Sequence, residues 1–311
     1  MQPVILDMDP GVDDALAIIL AVHSPELSVI GICTVSGNVP VDLGTANALK
    51  VLEMVGRTDI PVYAGAQRPL RRKPVYAMDV HGPSGLGEAE LPSPRSSPAG
   101  EAVPFLLQAL TERAGEIVVI ATAPLTNLAR AEMLEPGVLG RAKEIVVMGG
   151  VLREPGNVAP RSEFNFFADP DAARRVVNSG ANLTLVPLDA THQVFLSREE
   201  IQQQLTADPT AYAAFCEAAT RTAMTRARKL SDCDGIYLHD PLVVALVIDR
   251  EVCGVESRWI DVETEGQLTA GMVVVDERHP PSAELWGAEI HCAVSADRER
   301  FMQMFMERIL R

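Results

Sequence analysis

Immediately after a short apolar run the chain places four carboxylates in eight positions, Asp7, Asp9, Asp13 and Asp14 of Asp7-Met8-Asp9-Pro10-Gly11-Val12-Asp13-Asp14. Val4, Ile5 and Leu6 read as a buried strand, and Asp7 and Asp9 share a face if it stays extended to its end. Pro10 and Gly11 break the strand, and Asp13 and Asp14 open an apolar segment, 15–22, that reads as a helix. The acids therefore converge at the carboxyl end of a strand, where open α/β sheets hold their ligands. Helix capping accounts for one of Asp13 and Asp14, since a carboxylate accepts N–H bonds at a helix start. It does not account for four. Clustered carboxylates repel unless protonated or bridged by a metal, and hard oxygen ligands favour calcium or magnesium over zinc.

With 311 residues, 47% of them hydrophobic, the chain can bury a large core as one or two α/β units, and with no linker or repeat in view we expect one domain over 1–311. A formal charge of −15, from 27 basic and 42 acidic residues, argues against a nucleic-acid backbone or an anionic membrane as partner. A neutral small molecule or a cation fits better. Cys33, Cys216, Cys233, Cys253 and Cys292 are odd in number and contain no CxxC, which suggests structural thiols in a reduced, cytoplasmic compartment. No basic leader precedes the first strand and no apolar run reaches membrane-spanning length, so a soluble, intracellular protein is expected.

Strands and helices then alternate: a strand over 27–35, a helix over 41–55, and a strand over 60–63, implying right-handed crossovers and a parallel sheet. Asn38, after the second strand, either shapes a turn or reaches the acids. Residues 64–100 form a long irregular segment of the kind that serves as a functional lid or is disordered, and it carries His81 and glycines at 82, 85 and 87. The spacing is not a phosphate-binding fingerprint, because no strand precedes it and no Lys follows. A helix over 102–113, a strand over 116–121, a turn at Thr122 and a helix from Leu125 come next. The strand over 142–148 leads into a polar loop with Asn157, Glu163 and Asn165, closed by Asp169-Pro170 as a helix cap. A strand over 182–188 leads to His192, which we read as structural. One helix over 201–229, a helix at 242–248 preceded by His239-Asp240, a β-hairpin over 251–276 and a helix over 296–310 complete the chain.

The segments Asp7 to Asp14, Val35-Ser36-Gly37-Asn38, His81-Gly82-Pro83-Ser84-Gly85-Leu86-Gly87, Pro124-Leu125-Thr126-Asn127, Val147-Met148-Gly149-Gly150, Glu163-Phe164-Asn165 and His239-Asp240-Pro241 resemble, in order, the motifs of the inosine-uridine preferring nucleoside hydrolases. The resemblance covers almost the whole chain. It implies an open α/β fold with a mainly parallel sheet, its active site at the carboxyl ends of the strands, a bound calcium ion, assembly as homodimers or homotetramers, and hydrolysis of the N-glycosidic bond of ribonucleosides. Carried over position by position, Asp9, Asp14 and Asp240 would bind calcium through carboxylates and Thr122 through its carbonyl. Asp13, Asn38, Asn157, Glu163 and Asn165 would hold the ribose, with Met148 nearby, and His81 and His239 would face the base.

That chemistry is coherent. Calcium accepts many oxygen ligands, so it can hold ribose hydroxyls and a water together, and Asp9 can take the water's proton. Carboxylates around the sugar stabilise its oxocarbenium-like transition state, and His239 is the candidate donor to the leaving base. Ala123 stands where the family commonly has Gly; if that position needs a positive φ, the loop supplying the Thr122 carbonyl is strained. Two alternatives are a non-catalytic ribose or nucleoside binder and a phosphatase of the haloacid-dehalogenase type. The latter would need Thr or Val where Gly11 stands, and it has no role for Asp13 and Asp14. Arg226, Arg228 and Tyr237 are candidates for base contact, and the two histidines resemble broad or pyrimidine-preferring members.

Overall fold

The computed structural model describes residues 1–207, 210–231, 234–278 and 286–310. Strand β1 (Gln2–Met8) alternates its side chains between two cores. Val4, Leu6 and Met8 join the core built with helices Val12–Val22 and His239–Ile248, whereas Ile5 joins the one built with Ala102–Glu112, Thr126–Leu134 and Pro170–Val177. A strand covered on both faces carries a continuous apolar run, which is why Val4 to Leu6 lack polar alternation.

The further strands are β2 (Leu27–Thr34), β3 (Val62–Ala64), β4 (Gly100–Glu101), β5 (Val118–Ala121), β6 (Glu144–Met148), β7 (Leu183–Val186), β8 (Phe195–Ser197), β9 (Gly235–Tyr237), β10 (Cys253–Val262), β11 (Val273–Val275) and β12 (Ala288–Ala296). Ten form one sheet in the order β11-β10-β12-β7-β6-β5-β1-β2-β3-β4. Every pairing from β12 to β4 is parallel, and β10 is antiparallel to both its neighbours. The expected open, mainly parallel α/β sheet is present.

The chain lays β1 to β4 in one direction and returns with β5 on the other side of β1. Such a reversal opens a crevice at the carboxyl ends of the strands. Pairing sets Asp7 level with Cys33 on β2 and with Ala121 on β5. Three neighbouring strands thus end at one height, delivering Asp9, the turn 36–38 and Thr122 to the same place.

The structure departs from the sequence reading at five elements. The helix expected over 201–229 is two, Arg198–Ala207 and Ala211–Ser231; Pro209, outside the described residues, lies between them in sequence, and proline lacks the N–H a continuing helix needs. The strand over 182–188 stops at Val186, because Pro187 starts a short helix, Leu188–Thr191. The hairpin of β10 and β11 forms, but β12, unforeseen, inserts between β10 and β7, and the last helix begins only at Arg298, where Asp297 caps it by accepting from the Arg300 amide at 3.1 Å. A small antiparallel pair, β8 with β9, was also not expected.

The segment after β3 is an ordered crossing. Ala77 N–H bonds the Asn38 carbonyl at 3.0 Å, and a one-turn helix, Met78–His81, brings in His81. Gly87, at φ +59°, lies so near the helix Ala211–Ser231 that a Cβ would stand 1.9 Å from the Ala219 carbonyl oxygen. Cys33, Cys216, Cys253 and Cys292 are buried free thiols, and Cys233 lies outside the described residues. No described helix is long and apolar enough to cross a membrane.

Candidate active site

Asp9 leaves β1 fully buried and is gripped by the turn after β2. The Asn38 backbone amide donates to Asp9 Oδ2 at 2.5 Å and the Asn38 side chain to Oδ1 at 3.3 Å. The same Asn38 Nδ2 reaches Asp14 Oδ2 at 3.1 Å, so Asn38 does touch the acids. Asp14 also accepts from the Gly11 amide and from the Thr122 hydroxyl, each at 3.0 Å. It therefore caps its helix and belongs to the acid cluster at once. Behind the site, Asn127 donates to Asp7 Oδ1 at 2.7 Å and to the Thr34 carbonyl at 3.0 Å, tying β1 to β2.

Asp240 arrives from the start of the helix His239–Ile248. Carboxylate oxygens of Asp13, Asp14 and Asp240 lie within 4.8 Å of one another, and Asp13 Oδ1 is buried without a hydrogen-bond partner among the described residues. An orphaned oxygen among three gathered carboxylates suits a hard divalent cation, so this cluster could hold a metal ion. Burial and then the Asp14 charge push Asp9 well above the usual carboxylate range; burial and then Asp13 do the same to Asp240. Asp13 and Asp14 are raised to about 6, chiefly by burial. These acids are mutually unfavourable as anions, and a cation would relieve them.

On the other flank, Asn165 Nδ2 donates to the carbonyls of Thr122 at 3.1 Å and Met148 at 3.2 Å. Glu163 accepts from the amides of Asn165 at 2.6 Å, Gly150 at 2.9 Å and Phe166 at 3.2 Å, while burial raises it to about 7. Asn157 is exposed, and its Oδ1 accepts from the Phe164 amide at 2.9 Å. Ala123 buries its methyl in a small cluster with Val35 and Ala66.

Both histidines are neutral at pH 7. Burial, against the pull of Asp14, lowers His81 to about 4; burial and then His192 and His81 lower His239 to about 3. His81 Nδ1 accepts from the Val12 amide at 3.1 Å and lies 3.9 Å from Asp13 Oδ1. His239 Nδ1 stands 2.8 Å from the Thr191 hydroxyl.

Over residues 4–303 the sequence matches the inosine-uridine preferring nucleoside hydrolases. The chain belongs to that family. It is an enzyme, a hydrolase of the N-glycosidic bond of ribonucleosides. The hydrolase is 39% identical over 308 residues to an uncharacterised protein of Schizosaccharomyces pombe, covering 98% of each chain. To the pyrimidine-specific ribonucleoside hydrolase RihA of Photobacterium profundum it is 35% identical over 311 residues, covering 99% of this chain and 98% of that one. It superposes on the structure of a plant nucleoside hydrolase, PpNRh1, with a TM-score of 0.93 and 35% identity over 99% of both chains.

In the hydrolase, hydrogen bonds or close approach link Asp9, Asp13, Asp14, Asn38, His81, Thr122, Met148, Glu163, Asn165 and Asp240. Asn157 is exposed and, among the described residues, hydrogen-bonds the Phe164 amide, outside that network. Arg226 pairs with Asp79 at 2.9 Å and Arg228 lies 3.9 Å from Asp234, both exposed, whereas the Tyr237 ring is 6.0 Å from that of His239. Thr191, which the sequence did not single out, stands beside His239, and the ring of His192, read as structural, lies 4.5 Å from that of Tyr237 and 5.8 Å from that of His239. The run Asp189-Ala190-Thr191-His192, polar groups directly after a strand, was the available signal.

Proposed function

We propose that the hydrolase cleaves pyrimidine ribonucleosides to ribose and free base with calcium in its acid cluster and Asp9 as general base. Asp9, Asp14, Asp240 and the Thr122 carbonyl would hold the ion, with Asp13 beside them. Bound there, calcium would offset the carboxylate charges, bind ribose hydroxyls and acidify a water. Asp9 takes the water's proton as the bond to C1′ forms, a contribution of about 10²- to 10⁴-fold. Asn38 keeps the Asp9 carboxylate aimed through its two donors. Asp13, Asn38, Glu163, Asn165 and Asn157 orient the ribose, alongside Met148, and the surrounding negative charge favours the cationic sugar as the C–N bond stretches. His239, a neutral donor, hydrogen-bonds the departing base, with His81 on the same side.

The grip of Asn38 on Asp9 beside three gathered carboxylates is the observation that supports this most. The preference for pyrimidines draws on the RihA relative and on the paired histidines. One domain over 1–311, a cytoplasmic location and a homodimer or homotetramer belong to the same proposal. Release of reducing sugar from uridine, cytidine, inosine and adenosine tests it. Uridine and cytidine should turn over fastest; binding without release would favour a non-catalytic binder, and faster release from purines would reverse the preference.

A further inference from the structure

Thr191 is fully buried at the end of the helix Leu188–Thr191. Among the described residues its hydroxyl has one hydrogen-bonding neighbour, His239 Nδ1 at 2.8 Å. Buried Thr45 and Thr220 donate to the carbonyl four residues back, at 2.7 and 2.8 Å, but Thr191 makes no such bond. Its hydrogen therefore has a single acceptor among the described residues. In a neutral ring with the proton on Nδ1, that N–H would donate to Oγ1 and leave the hydroxyl hydrogen buried and unpaired, which is unfavourable. With Nδ1 bare, the hydroxyl donates to it and both groups are satisfied.

We infer that Thr191 is a positioning residue that holds His239 as the Nε2–H tautomer, so the ring offers a hydrogen-bond donor and not an acceptor. His81 is set the same way by different means. Its Nδ1 faces the Val12 backbone N–H at 3.1 Å, a group that can only donate, so its ring proton also sits on Nε2. Two histidines from distant segments thus both present Nε2–H groups. Resting on the proposal that His239 serves the leaving base, the base side of the site is donor-lined. It is matched to a carbonyl oxygen or an unprotonated ring nitrogen of the base.

Two measurements on the full-length hydrolase test this. In long-range proton–nitrogen spectra of protein labelled with ¹⁵N-histidine, with His239 assigned by its loss in His239→Ala, the wild-type ring should carry its proton on Nε2. Thr191→Val should let the Nδ1–H form appear, and Thr191→Ser should suppress it again. A wild-type ring protonated on Nδ1, or a tautomer indifferent to Thr191→Val, would overturn the inference. In turnover, Thr191→Val should lower kcat on uridine about 10- to 100-fold, the size of loss seen when the partner that orients a metal-bound histidine is removed. It should leave p-nitrophenyl riboside, whose leaving group departs unaided, little changed, and Thr191→Ser should restore uridine. Equal losses on both substrates would make Thr191 merely structural. The separate proposal for His239 fails if His239→Ala spares uridine, and the tautomer spectrum stands apart from that result.

Discussion

Gly37 stands against Asp9 so closely that a Cβ there would lie 1.9 Å from Oδ2 and 2.7 Å from Cγ. The turn after β2 can approach the carboxylate, and donate the Asn38 amide to it, only because that position has no side chain. Gly37→Ala must displace Asp9 or open the turn. Displacing a reacting group by about 1 Å costs on the order of 10²-fold, so kcat on uridine should fall by that much in protein that still folds by circular dichroism. Near-normal turnover in Gly37→Ala would show that the position of Asp9 is not critical.

Metal removal should act on stability as well as rate. Asp240 is held well above its ordinary range by burial and by Asp13, Asp14 and Asp9, so the empty cluster opposes folding and a bound ion supports it. Calcium at 100 times its Kd should stabilise the fold by about 2.7 kcal/mol, seen in calorimetry as a rise in Tm that chelation reverses. Asp240→Asn should lose most of that rise while melting no lower than the wild type when both are metal-free. A Tm indifferent to calcium in the wild type would remove the ion from the cluster.

Glu163 gives a pH signature of its own. Burial raises it from 4.5 to about 7, so the folded state binds its proton more tightly than the unfolded chain. The stability it contributes is present below pH 4.5 and is lost as pH rises through about 7, on the order of 3 kcal/mol in all. Glu163→Gln should flatten that part of the stability curve measured by denaturant titration between pH 4.5 and 7. Parallel curves for variant and wild type would mean that the buried carboxyl is not perturbed in this way.

What the sequence disclosed was the chemistry written into contiguous residues. Asp7 to Asp14 declared a strand end, a break, a helix cap and an acid cluster able to hold a cation within one turn, and the sheet topology then placed them at the β1/β5 reversal. Contacts between distant segments were hidden: Asn127 meets Asp7 across 120 positions and Thr191 meets His239 across 48, and no local pattern pairs them. Strand β12 was missed for another reason. Its burial alternates irregularly along Ala288–Ala296, because it is inserted between β10 and β7 near one end of the sheet, and a weak period-2 signal cannot be told from a loop.

The most direct measurement is kcat on uridine for Asp9→Asn at saturating calcium, with ion binding checked by calorimetry on the same sample. Asparagine keeps the shape of the side chain between Asn38 and Gly37 but cannot accept the water's proton. Calcium should bind this variant more weakly, because Asp9 is also one of its proposed ligands, but once the remaining ligands are saturated turnover should still be about 10²- to 10⁴-fold below the wild type. An Asp9→Asn protein that binds calcium and releases ribose at the wild-type rate would contradict the assignment of Asp9 as the base.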